Sequence, residues 1–101
     1  MAVLYVTEYA SAPAPHAVGV GVSVAFCPPN AEQTVRITTA SLQSNAFKMN
    51  TVLVRLHTDA ICSVLIGANP TATNTSARMA ANQTEYYAVR GGDKVAVITN
   101  T

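Results

Sequence analysis

Between Val18 and Phe26 the chain reads VGVGVSVAF, in which Val18, Val20, Val22, Val24 and Phe26 alternate with Gly19, Gly21, Ser23 and Ala25. A period of two puts the five large apolar side chains on one face of an extended strand and almost nothing on the other. The bare face leaves room for another backbone, a second sheet or a neighbouring subunit, to lie close against it. The same short period recurs along the chain, and no stretch sustains a helical one, so the sequence is committed to β structure.

Val52, Val54 and Leu56 alternate with Leu53, Arg55 and His57; Thr58-Asp59-Ala60 then supplies turn chemistry before Ile61 to Ile66 resumes, which reads as a hairpin. In its second arm Cys62, Val64 and Ile66 share one face while Ile61, Ser63 and Leu65 share the other, the pattern of a strand covered on both sides. Tyr86 to Arg90 and Lys94 to Thr99 flank Gly91-Gly92-Asp93 and read as a terminal hairpin. Gln33 to Thr39, with Val35 and Ile37 inward and Arg36 outward, and Ala2 to Thr7 complete the strands. Ser41 to Phe47 fits a strand continuation or a turn, and Thr75 to Ala81 has room for a single helical turn. About six to eight short strands with regular turns predict an all-β, single-domain antiparallel β-sandwich or small β-barrel. At 101 residues one core is all the chain can build, so residues 1–101 form a single β domain. Residues 10–17, where proline alternates with small residues, read as an extended arm or linker.

Charge narrows the partners. Only 11% of the residues are charged, where a soluble domain of this size carries roughly 25% to cover its surface. A β surface this short of ionised groups is suited to being covered by other protein. Six Lys/Arg against five Asp/Glu, scattered and without interleaved aromatics, lack the electrostatic footprint of a nucleic-acid binder. The first residues have no basic region, so they do not read as a secretory signal, and the sequons at Asn74 and Asn82 then read as chance matches. The charge-free run from Tyr9 to Ala31 is broken by Pro13, Pro15, Pro28, Pro29 and two glycines, which argues against a membrane helix.

Chemistry is sparse. His57 two residues before Asp59 suggests a base with its orienting carboxylate, but Asp59 is also the natural turn former and no nucleophile is tied to the pair. Cys27, Cys62, His16 and His57 lack metal-binding spacing, and the cysteines read as reduced buried thiols with a disulfide left open. Glu8, Glu32, Asp59, Glu85 and Asp93 are dispersed at strand ends, where solvation is the default. No enzyme, metal, cofactor or small-molecule substrate is expected. Apolar chain breaks at Gly67 into about a dozen small polar residues, among which Met79 is the one large apolar side chain, placed to tuck the loop onto the core. Together with the arm and the tyrosines, this loop gives the expected protein interface: Tyr9, Pro13, Pro15, His16, Asn69, Pro70, Thr71, Thr73, Tyr86 and Tyr87.

Specific motifs sharpen the reading. Arg55-x-x-Thr58-Asp59-Ala60-x-Cys62 leads to Gly67-x-Asn69-Pro70-Thr71-Ala72-Thr73, then Glu85-Tyr86-Tyr87-x-Val89 and Gly92-x-Lys94-Val95-Ala96-Val97-Ile98. With the opening LYVTEY, this succession resembles a family of small virion structural proteins of tailed bacteriophages. Met79-Ala80-Ala81 departs from the family pattern, in which a proline is common. The resemblance implies a non-enzymatic protein located in the virion and assembled in the bacterial host cytoplasm. It implies a head decoration or cement protein that stabilises the capsid by bridging neighbouring coat subunits, or alternatively a head-fibre, spike-base or tail-associated module. The implied partners are the major capsid protein or other virion proteins, and a homo-oligomer, trimer or dimer, would shield the exposed strand edges.

Overall fold

The computed structural model describes residues 2–10 and 28–100. The strand expected over Val18 to Phe26, the arm residues Pro13, Pro15 and His16, and Cys27 lie outside the described residues. Ala10 is the last residue of the first strand.

Among the described residues eight strands form two four-stranded sheets, and every neighbouring pair is antiparallel. In chain order they are β1 (Val3–Ala10), β2 (Ala31–Arg36), β3 (Leu42–Gln43), β4 (Thr51–Thr58), β5 (Cys62–Gly67), β6 (Ala77–Met79), β7 (Thr84–Ala88) and β8 (Lys94–Thr99). The first sheet runs β2-β1-β4-β7 and the second β3-β8-β5-β6, so the protein is a sandwich with open edges and not a closed barrel. The pairs β5·β6, β4·β7, β3·β8 and β2·β1 follow one another as a single double-stranded ribbon wound around the core. That is the eight-stranded jelly-roll arrangement, with the strand that closes the ribbon placed first in the chain.

Alternation fills the space between the sheets. Leu4 and Val6 of β1, Val54 and Leu56 of β4, Cys62 and Val64 of β5, and Val95 and Val97 of β8 meet there, with Val35, Ile37 and Met79 at the margins and Phe47 plugging one end. Each such side chain removed from water contributes about 1.5–3 kcal/mol before conformational entropy is subtracted. Met79 is buried as expected, but in a strand of its own and not in a helical turn.

Two expected hairpins are instead corners between the sheets. β4 is bonded to β1 on one side and β7 on the other, so β5 finds no free edge there and crosses to the second sheet. Thr58 makes the bend: its Oγ1 donates to Ala60 O and accepts from Ala60 N, while Asp59 exchanges bonds with Val3. The Gly91-Gly92 connection likewise carries β7 of the first sheet into β8 of the second. Val95, Ala96 and Val97 are all buried, and a strand apolar on both faces belongs at a sheet centre, between β3 and β5. Gly92 supplies the positive φ of 91° that this corner needs.

Glu8 is not solvated at a strand end. It continues the inward row of Leu4 and Val6 and is buried, its Oε1 accepting from Thr51 Oγ1 at 2.8 Å and from Lys48 N at 2.9 Å. The carboxylate thereby holds the crossing that runs from β3 back to β4.

Candidate interaction surface

The two outer faces of the sandwich are unlike. Over the second sheet lies the loop of residues 68–76. Gln43 Nε2 donates to Asn69 Oδ1 at 2.9 Å and to Pro70 O at 2.7 Å, Ser41 Oγ accepts from Ala72 N at 2.9 Å, and Asn100 Nδ2 joins Ser63 Oγ at 2.7 Å to Asn74 O at 3.1 Å. These anchors belong to β3 and the residue before it, to β5 and to the chain beyond β8, so the loop spans the sheet. Beneath it Ser63 and Ala96 are fully buried, although both face away from the core. Small residues suit this position because they let a backbone lie flat on the sheet, and their hydroxyls hold the loop: Thr73 N donates to Ser76 Oγ and Ser76 N to Thr73 O, both at 3.0 Å.

The outer face of the first sheet carries no such cover among the described residues. Side chains alternate with the buried row of β1 and fall into three cross-strand rows: Thr34, Tyr5, His57, Thr84; then Glu32, Thr7, Arg55, Tyr86; then Tyr9, Leu53, Ala88. Tyr5 is 45% exposed and Tyr86 57%. The Tyr5 and His57 rings are tilted at 44° with centroids 6.3 Å apart, and His57 Nδ1 is 2.8 Å from Thr84 Oγ1. Two tyrosines thus flank Arg55 on a face whose rims are polar, the residue types that dominate protein contacts.

Of the expected interface residues, Tyr9 and Tyr86 lie on this face. Tyr87 points the other way on β7 and is half-buried at the open side of the sandwich beside Val64, Leu65, Ile66 and Ala77. Burial and then the neighbouring Glu85 charge push its phenol pKa up. Asn69, Thr71 and Thr73 are exposed on the loop over the opposite sheet, and Pro70 is buried there as an anchor. The structure therefore separates the tyrosines from the loop. Tyr5, Arg55 and Leu53 join the face without having stood out in the sequence, and Tyr9 shares it because β1 runs on to Ala10, past Thr7, the expected end of the strand.

No group of three or more His, Cys, Asp and Glu side chains with metal-binding proximity occurs among the described residues. His57 and Asp59 are engaged separately, His57 with Thr84 and Asp59 Oδ1 with Val3 N at 2.8 Å. Cys62 is a buried free thiol, and desolvation raises its pKa above the ordinary 9.0, opposed by the bond to Thr58 and reinforced by Asp59. A raised thiol pKa keeps its contribution to stability below about pH 9 and loses it as pH rises further. In a Cys27→Ser variant, Cys62 is expected to react with Ellman's reagent about a hundredfold more slowly than a free thiol at pH 8 until the protein is unfolded. Immediate labelling of the native protein contradicts this burial. Searches of protein-family models, curated proteins and solved structures return no match to this chain.

Proposed function

We propose that this chain is a structural component of a tailed-bacteriophage virion, a decoration or cement protein that docks on the head shell through the outer face of the β2-β1-β4-β7 sheet. The observation that carries the reading is the asymmetry of the sandwich. One outer face is crossed by the chain's own loop, which buries Ser63 and Ala96 and leaves Leu65 43% exposed, and the other presents Tyr5 and Tyr86 about Arg55. The scarcity of charge and the motif succession through Arg55, Asn69, Glu85 and Lys94 support it. Binding of this kind needs no chemistry: a standard interface buries about 800 Å² per partner, and copies repeated on a symmetric shell add avidity.

Mass spectrometry of purified particles tests the assignment. Hundreds of copies per particle support a head decoration role, a few copies support a tail or fibre role, and absence from particles removes the virion reading. The docking face has its own test. Tyr5→Ala with Tyr86→Ala is expected to lower affinity for undecorated heads at least about tenfold, with the melting temperature kept within about 3 °C. Unchanged occupancy by this double variant rules the face out.

A further inference from the structure

Among the described residues β2 is an edge strand of the first sheet, and its pairing with β1 fixes which of its backbone groups no described residue meets. Ile37 N donates to Ala2 O at 3.0 Å in the same register, so Ala31, Gln33 and Val35 turn their N–H and C=O toward β1. Glu32, Thr34 and Arg36 turn theirs outward. The same three residues place exposed side chains on the open outer face, while Val35 is buried on the other. The strand is held from inside as well, since Asn45 N donates to Gln33 Oε1 at 2.9 Å and Gln33 Nε2 donates to Asn45 O at 3.3 Å.

We propose that β2 is the pairing edge for a second copy of this chain, in an antiparallel two-fold dimer centred on Thr34. In that register Thr34 stands opposite Thr34, and Glu32 of each copy stands opposite Arg36 of the other. Each outward N–H of Glu32, Thr34 and Arg36 meets an outward C=O of the second copy, so the backbone pattern and the charge pattern select the same alignment. A slip of two residues in either direction separates both charge pairs. A slip of four sets Glu32 against Glu32 or Arg36 against Arg36. An edge that is only protected from aggregation serves with charge of either sign; here opposite signs stand at equal distances from one residue. Tyr5 neighbours Thr34 across β1, so pairing joins two tyrosine-bearing faces into one eight-stranded surface. The inference rests on β2 alone and not on the virion assignment.

Sedimentation equilibrium on the purified protein separates the outcomes. The wild type is expected to be a reversible dimer. Glu32→Arg and Arg36→Glu are each expected to weaken it about tenfold or more, because each turns two attractive pairs into repulsive ones, and the double variant is expected to recover to within about threefold. Thr34→Pro removes an outward N–H without touching the bonds to β1, so it is expected to abolish dimerisation while the monomer melts as before. A wild type that stays monomeric at about millimolar concentration, or forms only a trimer, overturns the proposal. So does a dimer indifferent to the single charge reversals or to Thr34→Pro, or a folded double variant as weak as the singles.

Discussion

Glu8→Ala is expected to lower the free energy of unfolding by about 3 kcal/mol, one of the largest losses available from a single polar side chain here. The carboxylate is 2% exposed and accepts from Thr51 Oγ1 and Lys48 N, with Gln33 Nε2 at 3.5 Å from its other oxygen. Truncation leaves a buried hydroxyl and a backbone N–H without an acceptor and opens space at the end of the core. Glu8→Gln keeps the shape and one acceptor oxygen, so it is expected to cost only about 1 kcal/mol. Urea denaturation followed by far-ultraviolet circular dichroism measures both. If alanine costs no more than glutamine, Glu8 does not hold the crossing between β3 and β4.

The second large effect comes from a position with no side chain. A Cβ on Gly91 falls against the backbone O, Cα and C of Met49, and backbone cannot rotate out of the way. Phe47 N donates to Asp93 O at 2.7 Å and Gly92 N to Phe47 O at 2.9 Å, which clamps the two segments together. Gly91→Ala is therefore expected to cost about 3 kcal/mol, through parting of the Phe47 to Met49 segment from the β7 to β8 corner. Gly67→Ala is the internal control: nothing lies within 4 Å of its added Cβ, and a change within about 0.5 kcal/mol is expected. Equal losses at the two glycines contradict the close approach at Gly91.

Strand content is legible in the sequence because alternation is a local signal. Val35 and Ile37 inward with Arg36 outward, and Val54 with Leu56, are visible in any short window and are buried as expected. Pairing is not legible, because turn chemistry at Thr58-Asp59-Ala60 or Gly91-Gly92-Asp93 says that the chain bends, not which strand already occupies the edge it would bend onto. Both segments therefore read as hairpins and both are corners. Val52 shows a smaller limit. Alternation groups it with Val54 and Leu56, yet it is 43% exposed, because the β1·β4 register shifts at Tyr9/Ala10 and Thr51 takes the inward place.

The surface divides in the same way. Tyr9 and Tyr86 stand out by residue type, but their meeting on one face depends on β4 lying between β1 and β7. The loop after Gly67 reads as an outward contact because it is small and polar. Those properties also suit a segment laid on Ser63 and Ala96, and only the bonds from Ser41, Gln43 and Asn100 distinguish the two. Glu8 is invisible as a core residue for a related reason: the groups that donate to it, on Lys48 and Thr51, are some forty residues away in sequence.

The first strand starts and the last strand ends at one tip of the sandwich. Ile37 N donates to Ala2 O, and Thr99 N donates to the carbonyl of the next residue, Thr38, at 2.9 Å. At the far tip Ala10 stands opposite Thr51, and Asn30 Nδ2 donates to Asn50 Oδ1 at 2.7 Å and to Thr51 Oγ1 at 2.9 Å. Residues 2 and 99 therefore stand at the tip opposite the one that residues 10 and 30 share, so a probe attached at either reports on one end of the sandwich and not on the other.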